Sequence, residues 1–338
     1  MRVAGAVARK RWDAIVVGGG HNGLVAAAYL AKAGKQVCVL EKRHLVGGAA
    51  VTEEIIPGFK FSRASYVFSL FRPQIIRDLK LHRHGLEVYP RDPSSFTPTL
   101  DGRSLILGSD MAENQKSIAQ FSQADALAYP KYNAMLETMV DFFVPMIDEV
   151  REHERIFKLV DQSMMKLGYR SGKLGKELTT FLEFMTAPAA KILDKWFESD
   201  VLKATLATDA IIGAKVSPST PGSAYILFHH VMGEVDGVKG MWGHVKGGMG
   251  GVSQALERSA TEAGAEIFTS TPVKSIDVHD GRVRGVSLES GEALEADVVL
   301  SNASPLVTML DLLDENVLPE RVVTHFKKNW NCESASTK

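Results

Sequence analysis

Residues 13–48 read DAIVVGGGHNGLVAAAYLAKAGKQVCVLEKRHLVGG, and the order of their patterns decides the fold. An apolar run over residues 13–17 enters the cluster Gly18, Gly19 and Gly20. A helical pattern of Leu24, Ala27, Ala28, Leu30 and Ala31 then reaches Gly34, a residue suited to the position just past a helix. A second apolar run, residues 36–40, ends on Glu41, so the stretch reads strand, tight turn, helix, strand. Gly18, Gly20 and Gly23 fill the pattern GxGxxG. The first allows the turn out of the strand, the second lets backbone approach a pyrophosphate, and the third lets the helix pack close to the sheet. A helix that begins at His21 and Asn22 offers free N–H groups and its positive end to that phosphate. Glu41 closes the second strand, where a carboxylate accepts hydrogen bonds from a ribose diol. The stretch is therefore a βαβ unit for an ADP moiety.

FAD and NAD share that moiety, and the residues after Glu41 separate them. Lys42, Arg43 and the doublet Gly47-Gly48 follow directly, and here the sequence resembles the flavoprotein group of monoamine oxidases, phytoene desaturases and their relatives. Two distant segments, TPVKSI with GRVRGVSLESGEALEADVVLSNASP and GFKFSRASYVFSL, carry the same resemblance, which spans about residues 12–310. It implies FAD as cofactor, held by Gly18, Gly20, His21, Asn22, Gly23, Glu41, Lys42, Arg43, Gly47 and Gly48. It further implies adenine contacts from the backbone of Val273, and Ala64, Ser65 and Tyr66 beside the flavin. The implied fold is α/β: a Rossmann-like FAD-binding domain of the glutathione-reductase type with an inserted, mostly helical α+β substrate domain. Many relatives carry arginine where this chain has Ala49. They also run past Lys338 into a closing segment that touches the flavin, so the expectation is a chain whose C-terminal closing segment is missing and whose sheet edge is open to aggregation.

The implied activity is hydride transfer from a hydrophobic or amine-like small molecule to flavin. A non-catalytic FAD- or ADP-binding product is the alternative. An NAD dehydrogenase would rest on the glycines and Glu41 alone, leaving Gly47-Gly48 and ADVVLSNASP unexplained.

The 338 residues are 45% hydrophobic and 23% charged, a makeup that supports two globular domains. A net charge of −1 supplies no basic field, which argues against nucleic acid as a partner. Two cysteines, Cys38 in the second apolar run and Cys332 near the end, exclude a disulfide framework and a CxxC redox pair. Residues 1–11 form a leader in which Arg2, Arg9, Lys10 and Arg11 precede the first acid, Asp13, as in an organelle-import signal. A mitochondrial matrix location is the expectation, with cytoplasm as the alternative. No run reaches the roughly 18 apolar residues of a membrane span, so the chain is expected to be soluble or peripherally membrane-associated.

The domain reading places residues 12–70 and 240–310 in the FAD-binding domain, 71–239 in the substrate insertion, and 311–338 in a terminal helix and disordered tail. Residues 95–100 and 104–107 read as a hairpin turning at Asp101-Gly102. Asp110 is placed to cap a helix over residues 111–122. Residues 124–235 are mainly helical, with Pro145, Pro188, Pro218 and Pro221 as interruptions. Residues 135–150 read as a core helix, a lipid-facing entry surface being the alternative. KGGMGG, ahead of a helix from Val252, is either a close-approach loop for substrate or flavin or a flexible interdomain crossing. Three strands joined by glycine turns follow it. For acid–base chemistry the visible candidates are His229, His230 and His244, each more readily structural, so the catalytic residues are left unassigned. No ligand spacing for a metal is present.

Overall fold

The computed structural model describes residues 11–147, 172, 175 and 177–330, so most of the leader and the last eight residues lie outside the described part. The chain divides into two units, one drawn from Met1–Tyr89 and Gly243–Cys332, the other from Pro90–Trp242. The sequence drew the boundaries at residues 71 and 240, and both fall later. Residues 71–89 stay with the first unit because Leu79, Leu81 and Leu86 are buried. The Leu79 carbonyl there accepts from Ser259 Oγ at 2.9 Å and the His84 carbonyl from Arg258 Nε at 2.7 Å. Residues 240–242 stay with the second, where Arg91 N–H donates to the Trp242 carbonyl at 2.7 Å and Gly240 N–H to that of Gly233 at 2.7 Å.

The first unit opens with β1 (Arg11–Val17), α1 (His21–Lys32) and β2 (Val37–Leu40), as the sequence pattern predicts. The hairpin of β3 (Thr52–Ile56) and β4 (Phe59–Ser62) follows. That hairpin is new, although Pro57-Gly58 signals its turn, with Gly58 at φ +84°. After α2 (Pro73–Asp78) the chain reaches β5 (Val88–Pro90).

The second unit holds the hairpin β6 (Ser95–Pro98) and β7 (Ser104–Leu107), followed by α3 (Met111–Ala119) and α4 (Gln123–Ile147). Asp110 caps α3 by accepting from the N–H groups of Ala112 and Glu113. Pro145, read as an interruption, lies inside α4 together with Pro130. Burial of Tyr132, Met135, Met139 and Phe142 along that helix offsets the missing N–H bonds. The same burial makes this stretch core, not a lipid-facing surface; residues 148–150 lie outside the described part. Three helices, α5 (Glu177–Thr186), α6 (Ala189–Trp196) and α7 (Asp200–Ala207), lead through a single turn, Thr208–Ala210, to α8 (Ser223–His230). A small hairpin, β8 (Glu234–Val235) and β9 (Val238–Lys239), ends the unit.

The chain re-enters the first unit with β10 (Gly243–Val245), α9 (Gly250–Glu262) and β11 (Glu266–Phe268). Then come β12 (Val273–His279), β13 (Arg282–Leu288) and β14 (Ala293–Ser301). The main sheet runs β11-β2-β1-β14-β13-β12, parallel from β11 to β14 and antiparallel beyond. Its central strands are buried on both faces, which is why they read as unbroken apolar runs and not as alternation. Ala27, Ala28 and Ala31 let α1 lie close to the sheet beside α9, while Trp12, Ile15, Leu40, Phe268 and Val286 fill the other face. Past β14 the chain makes short helical turns up to residue 329 in place of one terminal helix. Among the described residues no helix is long and apolar enough to cross a membrane.

Candidate cofactor site

The site is built at the carboxyl end of β1. Gly18 leaves the strand at φ +97°, and its N–H donates to the Leu40 carbonyl at 2.8 Å. The chain then enters α1 at Gly20, with no side-chain cap and no acidic residue in the first turn. The first-turn N–H groups of a helix have no partner within it, so this uncapped end can receive an anion. A Cβ on Gly23 would lie 2.4 Å from Gly18 O and 3.1 Å from Val16 Cγ1, which is why only glycine lets the helix sit this near the strand. A Cβ on Gly20 would lie 2.6 Å from Asn302 Nδ2. His21 and Asn22 occupy the first turn, and burial holds the His21 imidazole below its ordinary pKa.

Glu41, expected to accept from a ribose diol, is 7% exposed and is already tied into the turn. One carboxylate oxygen accepts from Gly19 N–H at 2.8 Å and the other from Arg43 N–H at 2.9 Å. Each oxygen keeps lone-pair capacity for a diol hydroxyl. The Arg43 guanidinium pairs with Glu53 at 2.8 Å, and Arg63 joins the same carboxylate at 3.1 Å. Arg43 therefore ties its loop to β3, and the pair holds the Glu53 carboxyl below the usual range. Lys42 stays exposed.

The doublet closes on the glycine turn. Gly47 N–H donates to the Gly19 carbonyl at 2.8 Å, and a Cβ on Gly48 would lie 3.2 Å from Gly20 Cα. Their φ angles, +128° and +57°, favour glycine at both positions. Ser65 N–H donates to the Ala49 carbonyl at 3.1 Å, which brings the Ala64, Ser65 and Tyr66 segment beside the doublet. Tyr66 is 45% exposed. Two residues before Val273, Thr271 N–H donates to the Glu41 carbonyl at 2.9 Å, so β12 starts at the same rim.

The other candidates fall elsewhere. His229 and His230 end α8 in the helical unit, whereas His244 lies on β10 in the nucleotide unit. His230 Nδ1 lies 2.7 Å from the Ile226 carbonyl, and burial lowers the pKa of His229. In KGGMGG, Gly250 N–H donates to Thr52 Oγ1 at 2.9 Å and Met249 N–H to Ser62 Oγ at 3.1 Å. A Cβ on Gly248 would lie 2.4 Å from Thr52 Oγ1, so those glycines serve close backbone packing against the hairpin. Burial pushes the Cys38 thiol pKa upward, with Glu266 adding to it, which leaves it unreactive. No group of metal-binding side chains occurs among the described residues. Asn302 and Ser253 escaped the sequence reading: the first sits under the glycine turn, and the second donates from Oγ to the Ala50 carbonyl at 2.7 Å. The only sequence signal for Asn302 was its place at the end of ADVVLSN, beside the strand that carries the glycines.

An outward helix start, a rim carboxylate with free lone pairs and a doublet folded on the turn define a dinucleotide-type flavin site, and the residues present fit FAD. The chain belongs to the flavin-containing amine oxidoreductase family, whose pattern matches residues 23–331. It is 50% identical over 92% of its length to pyridine nucleotide-disulfide oxidoreductase domain-containing protein 2 of Rattus norvegicus, 56% of which it covers. It is 28% identical over 97% of its length to a limonene dehydrogenase chain of Castellaniella defragrans, covering 58% of that protein. Among solved structures, putrescine oxidase bound to putrescine superposes with a TM-score of 0.57 at 18% identity, over 94% of this chain and 63% of the other. The chain thus spans little more than half the length of these curated relatives.

Proposed function

We propose that this chain is the cofactor-binding and substrate-facing part of an FAD-dependent oxidoreductase that removes a hydride from a hydrophobic or amine-like small molecule. The observation that carries it is the uncapped start of α1 beside the remaining lone pairs of Glu41, with the doublet Gly47-Gly48 folded onto the same turn. The first-turn N–H groups of α1 would hold the diphosphate, Glu41 would hold the ribose diol, and the Ser65 segment, bonded to the doublet through Ala49, would serve the flavin half. Bound flavin supplies the acceptor for the hydride. The protein's share is binding, orientation and exclusion of water; hydride loss from an amine carbon leaves an iminium and needs no base, whereas a hydrocarbon must also give up a proton to water or a side chain. Of the two substrate classes, 28% identity over nearly the whole chain to a protein named for limonene supports the hydrophobic one, while the putrescine oxidase likeness supports the fold alone.

Cofactor released from the purified protein identifies the ligand, and anaerobic bleaching by terpenes or by polyamines sorts the substrate. Colourless protein that cannot be reconstituted with FAD would sink the reading. FAD bound tightly without turnover would favour a non-catalytic binding role. We further propose a mitochondrial matrix location, supported by the basic residues Arg2, Arg9, Lys10 and Arg11. Residues 1–11 fused to a fluorescent reporter test it, and a diffuse cytoplasmic signal would count against it.

A further inference from the structure

We infer that Asn302 is a positioning residue for the phosphate-binding turn, acting by clamping the peptide group between Gly18 and Gly19 from the side opposite Glu41. The inference rests on FAD binding at this site. Strand β14 runs parallel to β1 with Ser301 paired to Val17, and Asn302 N–H extends the ladder by donating to the Val17 carbonyl at 2.8 Å. That bond fixes where the Asn302 side chain begins. Its Nδ2 lies 3.3 Å from Gly18 O, while Gly19 N–H, the other end of the same peptide group, donates to Glu41 Oε2 at 2.8 Å. One plane is therefore held by two side chains from strands on either side of β1.

Such a clamp answers a physical problem of the sequence. Three consecutive glycines have little intrinsic preference for one backbone conformation. A peptide flip at this position would turn the Gly18 carbonyl against the Glu41 carboxylate and the Gly19 N–H against the Asn302 amide donor, and would change how the chain enters α1. With both ends of this peptide held, the turn leads into the first-turn N–H groups of α1 in one conformation before the ligand binds, so less ordering is left for the binding step. The same Nδ2 would lie 2.6 Å from a Cβ on Gly20 and 3.0 Å from one on Gly23. Two of the fingerprint glycines thus leave room for Asn302 as well as for ligand and helix.

The test is a double-mutant cycle on FAD and ADP affinity, with Asn302→Leu, which keeps the shape and deletes the donor, and Glu41→Ala, which deletes the acceptor of Gly19 N–H. Asn302→Leu is expected to weaken FAD and ADP by about the same factor, roughly tenfold, since both share the diphosphate. Because either substitution frees the same peptide, the double variant should lose less than the product of the two single losses. A purely structural Asn302 would lower the melting temperature and give independent, multiplicative losses. Wild-type affinity in Asn302→Leu, or multiplicative losses, would overturn the inference while leaving FAD binding intact. Wild-type protein that binds neither FAD nor ADP would overturn both. If Asn302→Leu does not fold, Asn302→Ala carries the same cycle.

Discussion

Gly23→Ala separates packing from ligand contact at the glycine turn. The new methyl would lie 2.4 Å from Gly18 O, 3.0 Å from Asn302 Nδ2 and 3.1 Å from Val16 Cγ1. An ordinary carbon-to-carbonyl approach is about 3.3 Å, so α1 must lift from the strand by roughly 0.9 Å. The tightest neighbour is backbone, which no rotamer change relieves, so the cost should fall toward the upper end of overpacking, ~3 kcal/mol. For a domain of this size that is a fall of roughly 6–12 °C in melting temperature. Lifting the helix also carries its first-turn N–H groups away from the diphosphate. Loss of one such charge-assisted bond weakens FAD by about 10- to 100-fold. Gly34→Ala is the control: Gly34 sits at φ +79° with no atom within 4 Å of the added carbon. It should cost ~1–2 kcal/mol of backbone strain and leave FAD affinity unchanged. Calorimetry of both apoproteins and fluorescence titration with FAD read the two effects separately. Unchanged FAD affinity in Gly23→Ala would refute the reasoning, because the clash would then have been absorbed without moving the site.

Glu41→Gln should lower the melting temperature of the apoprotein as well as FAD affinity, since one of two backbone N–H groups would then face an amide N–H; an unchanged apo melting curve would reduce Glu41 to a ribose ligand alone. Burial lowers the His21 pKa from its ordinary 6.5, so the unfolded chain binds the proton first as pH falls. This contribution to apo stability is complete above pH 6.5 and is lost as pH drops below it. His21→Asn should flatten that part of the melting profile, and an identical acid slope in both proteins would exclude His21 as its source. With Cys332 replaced by Ser, native protein should resist thiol reagents at Cys38 until unfolding, and rapid native labelling would contradict its burial.

The βαβ unit was legible because its signals are local: a buried parallel strand is an apolar run, and a tight turn needs glycine. The β12–β14 meander was legible for the same reason, as Asp280 and Gly281 both take positive φ in the turn their residue types favour. Tertiary contact set the features that sequence placed differently. Leu79 and His84 join the nucleotide unit through α9, far along the chain, and no composition change marks the boundary at Pro90. Pro145 did not break α4, because burial along the helix outweighed the local rule. Arg43 read as a cofactor residue from its neighbours, yet its guanidinium goes to Glu53, on a hairpin unseen in the sequence.

The glycines also show what their pattern can and cannot establish. Gly20 and Gly23 are required by Asn302 and by the strand whether or not a nucleotide binds, and Gly47 by the Ala50 carbonyl, 2.5 Å from where its Cβ would stand. These positions specify a backbone fold, so on their own they are weak witnesses for a ligand. The features without an internal use are different: an uncapped helix start with no acid in its first turn, and the remaining lone pairs on a nearly buried carboxylate. Unused donors beside unused acceptors at one rim match a diphosphate joined to a ribose, which presents acceptors to the first and donors to the second. The case for the cofactor rests on that surplus, and the glycines hold it in place.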